Sequence, residues 1–241
     1  MTLPATYYAV TQRICALNNH GVKSLQAGGT ARAEEYFGEA IVLSKELIAS
    51  SAQHLDEDDF MRYTNQTKEC CCSCPACQIR PSTQEEEMDA PIYLYNRTLM
   101  LPQRPCHVQT LESSCLNCAV ILFNMGLMNH MMGLKNQKIP QALARAEAFY
   151  ERSILLLNGV PRLAAQRNET AILIITATGN NLAQIALENG NIAVVRNRLK
   201  FLNAILRGPN ETLHSVLTTV EWTGILSNVL LRNGLNAARA A

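Results

Sequence analysis

The residues best equipped for chemistry are cysteines. The run Cys70-Cys71-Cys72-Ser73-Cys74-Pro75-Ala76-Cys77 holds two overlapping Cys-x-x-Cys steps, and Cys106-His107 and Cys115-x-x-Cys118 follow. Thiolates from two such pairs can close a tetrahedral zinc site, and Cys71, Cys74, Cys77 and Cys106 are the candidate ligands. The long gap between the pairs matches no compact zinc finger, and Cys115 and Cys118 stand at helical spacing, where Cys118 belongs to a core. Adjacent exposed cysteines can instead be lipidated or sense oxidants. The expected reading is plain thiols in a variable loop; zinc is the one cofactor held open, and with it a zinc-binding or redox-responsive adaptor.

Other chemistry finds little support. There is no glycine-rich phosphate loop after a strand, no nucleophile elbow and no His-x-x-x-His pair. His20, His54, His107, His130 and His214 are scattered, so no enzymatic activity is expected. Met125, Met128, Met131 and Met132 beside His130 could suggest copper or haem, but their spacing is that of a packed helix, where methionine fills irregular gaps. Arg196, Arg198, Lys200 and Arg207 read as a solvated helix face, with an acidic partner as the alternative.

Composition sets the class. The 241 residues are 48% hydrophobic with net charge +1, which describes a globular chain with a sizeable core. Residues 1–89 hold 7 Lys/Arg against 13 Asp/Glu and residues 90–241 hold 14 against 7. The acidic excess lies in Asp56–Asp59 and Glu85–Glu87, read as solvated loop charge. Neither half is basic enough for nucleic acid. No uninterrupted apolar run reaches the ~18 residues that span a bilayer, and no signal segment opens the chain. A cytoplasmic or nuclear, reducing compartment is expected, so the sequons at Asn65, Asn96, Asn168 and Asn210 carry little weight.

The elements that would position any site are helical hairpins. Apolar residues recur at helical spacing through Leu122, Met125, Met128 and Met132, then through Leu143, Ala146, Tyr150 and Ile154. The same pattern runs through Ile14, Leu17 and Leu25, then Ala33, Phe37 and Ile41, with Gly28-Gly29 at the turn. A third hairpin has Leu173, Leu182 and Ile185, Asn189-Gly190 at its turn, then Val195, Leu199 and Leu202. A last helix over about 211–232 carries Leu213, Leu217, Val220, Ile225, Val229 and Leu230 and should cap the third hairpin. Between the first two hairpins lies an insertion at about 50–109. Its stretch Ala90–Leu101 is bounded by Pro91 and Pro102 and reads as a short strand or an extended strap across the helices.

Three pieces align: Asn19-His20-Gly21 with Gly28, Ala33, Phe37 and Ala40; Asn124-Met125-Gly126 with Gly133, Ala146, Tyr150 and Ser153; Asn181-Leu182-Ala183 with Gly190, Val195, Leu199 and Leu202. This pattern resembles the tetratricopeptide repeat, without its signature tryptophan and helix-ending proline. Small residues at 21, 126 and 183 would let the two helices of a hairpin approach; large ones at 37, 150 and 199 would fill the gap to the next repeat. The layout is also similar to a group of tetratricopeptide-like proteins abundant in diatoms. They share Tyr93-Leu94-Tyr95-Asn96, Asn180-Asn181 and an alanine-rich end, a resemblance that implies no activity.

The resemblance implies an all-α fold, an irregular solenoid of α-hairpins over 7–49, 110–157 and 167–207 with a capping helix, in one domain over 1–241. It implies a non-catalytic scaffold binding a protein, as a peptide or helix, in a concave groove. Carried over by position, the groove would show Asn18, Val22 and Gln26, then Phe123, Leu127 and Met131, then Asn180, Gln184 and Glu188. None of these is basic, which argues against the carboxylate-clamp mode. Asn19, Asn124 and Asn181 would bond a peptide backbone or satisfy neighbouring helix carbonyls. An insertion folded into the groove would leave a closed helical domain.

Overall fold

The computed structural model describes residues 5–53, 79–81, 93–103, 110–135, 141–160, 168–207 and 217–237. The fold is all-α, with seven helices among the described residues: α1 (Ala5–Gln26), α2 (Thr30–Gln53), α3 (Leu111–Lys135), α4 (Gln141–Asn158), α5 (Glu169–Glu188), α6 (Ile192–Arg207) and α7 (Thr219–Ala237). The only strand pairing described is two residues long: β1 (Arg80–Pro81) runs antiparallel to β2 (Leu99–Met100), with Arg80 opposite Met100 and Pro81 opposite Leu99.

The turns expected at Gly28-Gly29 and Asn189-Gly190 are present and built alike. Gly28 and Gly190 sit at φ 80° and 69°, a conformation only glycine adopts without strain. Gly28 N–H donates to Leu25 C=O and Gly29 N–H to Ser24 C=O; Gly190 N–H donates to Leu187 C=O and Asn191 N–H to Ala186 C=O. These paired bonds satisfy the last carbonyls of α1 and α5 and reverse the chain into α2 and α6.

The chain forms two compact units. The first comprises Met1–Thr83 and Thr98–Met125, the second Gln84–Arg97 and Gly126–Ala241. In the first, α1 packs on α2 so closely that a Cβ at Gly21 would lie 2.6 Å from the Phe37 ring. In the second, a Cβ at Gly126 would lie 2.7 Å from the Tyr150 ring. Both aromatic rings therefore sit on the glycine of their own hairpin, rather than only filling the gap to the next one. Phe37 and Tyr150 have no exposed surface, so these contacts are core packing.

The second unit continues with α5 against α6, and α6 against α7. Ala183, Ala186, Val195, Leu199, Leu202 and Val229 form one buried cluster, which places α7 over the third hairpin as expected. The face α7 presents differs from expectation. Ile225 and Val229 are buried, but Val220 and Leu230 are 61% and 58% exposed. The inward positions are taken by Glu221 and Asn228, at 0% and 1%; Leu213 lies outside the described residues. Helices α3 and α5 have the length and mean hydropathy of membrane-crossing helices, with 78% of each apolar window buried inside the protein. Mean hydropathy over an 18-residue stretch of each helix, rather than an uninterrupted apolar run, is what brings them to that level.

Candidate functional site

Residues 93–101 are extended, and their backbone is held by asparagine side chains. A carboxamide carries a donor and an acceptor side by side, so it can meet the N–H and C=O of one extended residue as a neighbouring strand would. In the first unit, Leu101 N–H donates to Asn19 Oδ1 at 2.9 Å and Asn19 Nδ2 donates to Leu101 C=O at 2.8 Å. Asn124 repeats this on Leu99, at 2.8 Å in both directions. Asn18 ties the two together: its Nδ2 donates to Leu99 C=O and to Asn19 Oδ1, and its Oδ1 accepts from Asn124 Nδ2.

The second unit contains the same device. Asn181 clamps Tyr95 at 2.9 Å in both directions, and Asn228 clamps Tyr93 at 2.8 Å in both. Asn180 takes the part of Asn18, donating to Tyr93 C=O and Asn181 Oδ1 and accepting from Asn228 Nδ2. Asn18, Asn19 and Asn124 thus correspond one to one with Asn180, Asn181 and Asn228. Within each triad the clamped residues are two apart, the period at which an extended chain presents the same side.

Burial makes these bonds matter. Asn18, Asn124, Asn180 and Asn181 are 0% exposed, Asn228 1% and Asn19 8%. Amides removed from water need partners, and the strap supplies them. In return Leu94, Tyr95, Thr98, Leu99 and Leu101 are buried, Tyr95 and Leu99 completely. Tyr150 Oη accepts from Asn181 Nδ2 at 3.0 Å, which steadies that clamp from α4. Burial, then the nearby Glu221 charge, pushes the Tyr95 phenol well above its ordinary range, and burial does the same for Tyr150.

Glu221 adds an ion pair to this part of the strap. Its Oε1 lies 3.2 Å from Arg97 Nη1, with the two side chains 0% and 13% exposed. Its Oε2 accepts from Thr218 N–H at 2.7 Å, while Glu221 N–H donates to Thr218 Oγ1 at 3.2 Å. That reciprocal pair is a capping box at the start of α7. The ring of Tyr93 packs on Gly224, where no Cβ would fit.

The groove positions expected from sequence need correction. Asn18, Asn19, Asn124, Asn180 and Asn181 do bond a backbone segment, and it belongs to this chain; among the described residues, the backbone partners of Asn19, Asn124 and Asn181 lie on the strap rather than on helix carbonyls. Val22, Phe123, Leu127 and Gln184 are buried with no exposed surface. Gln26 and Met131 are half-buried, and Glu188 is exposed. Phe123 and Leu127 are thus core residues rather than an open lining. The sequence reading missed Asn228, Glu221 and Arg97; the signal for Asn228 was an asparagine on the inward face of the last helix, α7.

Elsewhere, Cys15, Cys115 and Cys118 are buried free thiols. Burial pushes Cys15 and Cys118 up to about 12 and Cys115 to about 11, so all three are neutral thiols near pH 7. Cys71, Cys74, Cys77 and Cys106, the candidate zinc ligands, lie outside the described residues. His130 is buried against Tyr150, ring centroids 6.0 Å apart, and burial lowers it to about 3. Arg198 pairs with Glu151 at 3.1 Å on an exposed surface. Compared with family models, curated proteins and solved structures, the chain matches none.

Proposed function

We propose that this chain is a non-catalytic interaction scaffold of tetratricopeptide-like hairpins, and that the asparagine triad of each unit is a receptor for extended polypeptide backbone. The observation that carries the reading is the clamp itself. Asn19, Asn124, Asn181 and Asn228 each engage both the N–H and the C=O of one residue. Such bonds are indifferent to side-chain identity, so another segment in the same conformation satisfies them equally well. The described titratable groups support a binding role over catalysis. His130 stays neutral near pH 7, and Glu221 is already committed to Arg97 and Thr218.

The test is a set of synthetic extended peptides, offered at about millimolar concentration because the tethered strap competes at that level. Binding should tolerate side-chain changes at half-buried strap positions such as Asn96 and Met100. It should fail when the amides matching Tyr93 and Tyr95 are N-methylated. Equal binding of methylated and unmethylated peptides would overturn the reading, as would no binding of either.

A further inference from the structure

Backbone recognition leaves one strap side chain unexplained, Arg97. Its partner Glu221 has no exposed side-chain surface, and the capping box fixes that carboxylate on α7 independently of the strap. A buried carboxylate without a cation is strongly disfavoured. The second unit's strap site therefore contains, beside its sequence-tolerant clamps, one element that demands positive charge. It also contains a seat for a flat ring on the backbone of Gly224 and an enclosed position for Tyr95.

We propose that residues 93–97 are a built-in competitor for a partner's extended segment, and that this segment must place arginine or lysine on Glu221. The inference rests on the backbone-receptor reading and adds selectivity to it. The partner's recognised stretch carries aromatic residues four and two positions before its cation, the spacing of Tyr93 and Tyr95 relative to Arg97. Exchange balances locally: the incoming segment restores both bonds to Asn181, both to Asn228 and the ion pair to Glu221. What it must overcome is the tethering of the strap.

The experiment uses the full chain carrying Arg97→Ala, which removes the strap's cation and leaves every receptor side chain in place. Two fluorescent peptides reproduce residues 91–99, one with arginine at the 97 position and one with alanine. The arginine peptide should bind the variant at least tenfold more tightly than the alanine peptide does, and at least tenfold more tightly than it binds the unsubstituted chain. Adding Glu221→Gln should erase the preference. Equal affinity for the two peptides would overturn the proposal. If N-methyl sensitivity persisted in that case, the backbone reading would stand alone; if it vanished, both would fall. Should Arg97→Ala not fold, tryptic cleavage after Arg97 in the unsubstituted chain decides. Cleavage with a urea dependence well below that of global unfolding shows a strap that releases locally. Cleavage only through global unfolding would overturn the proposal.

Discussion

Asn181 holds Tyr95 by both of its backbone polar groups: Oδ1 accepts the N–H at 2.9 Å and Nδ2 donates to the C=O at 2.9 Å. The two residues are 86 positions apart in sequence, so this is a tertiary bond written in a side chain. Asparagine suits it because the side chain is itself an amide; aspartate lacks the donor and leucine lacks both.

Helix contact at Gly126 makes a prediction about core packing. Gly126→Ala should cost about 1–3 kcal/mol, because the new Cβ meets the Tyr150 ring at 2.7 Å in a packed core. The third hairpin pairs Ala183 with Leu199 at the positions aligned with 126 and 150. In a Tyr150→Leu background, the added methyl should therefore cost under about 1 kcal/mol. Urea unfolding of the four chains in this cycle measures the coupling; additive costs would contradict the contact.

Gln184 points to an unusual result. It is 0% exposed, and neither amide atom has a partner among the described residues. An unsatisfied buried amide costs about 1–3 kcal/mol, so Gln184→Met, similar in shape, should leave stability unchanged or raise the urea midpoint. A loss above about 1 kcal/mol would show that the amide is satisfied in solution.

Acid sensitivity should trace in part to His130. An unfolded histidine takes up its proton near pH 6.5, whereas burial holds the folded one down to about 3. Between these values the unfolded chain binds more protons, so stability is unaffected above about pH 6.5 and falls as the pH drops. The loss at pH 5 is about 2 kcal/mol. His130→Phe, which keeps a ring beside Tyr150, should lose that much less between pH 7 and pH 5 in paired unfolding curves. Identical losses would place the acid sensitivity elsewhere.

Much of the helical layout was legible because it rests on local rules. Gly28 and Gly190 mark turns that need positive φ, and the periodic apolar residues between them define helices. Spacing also put Asn18, Asn19, Asn124, Asn180 and Asn181 on inward faces. What they would bond was not legible, because the bonded segment lies 81 positions from Asn18 and 86 from Asn181. Asn228 was hidden by its neighbour: Leu230 stands where the other helices carry Gly21, Gly126 and Ala183, so α7 read as an apolar cap. The exposure of Val220 and Leu230 follows from the same cause. Glu221, Ile225 and Asn228 share the inward face of α7, and at helical spacing Val220 and Leu230 fall off that face and turn out.

In each unit, asparagine amides hold the strap by its backbone. Amide hydrogen exchange at Tyr95 in the unsubstituted chain and in Asn181→Ala tests it most directly. The substitution leaves the buried N–H and C=O of Tyr95 without their partner, a loss of about 2–4 kcal/mol. Tyr95 protection should fall at least thirtyfold, and the Leu99 amide, clamped by Asn124 in the other unit, should change less. Unchanged protection at Tyr95 in a folded Asn181→Ala chain would contradict the claim.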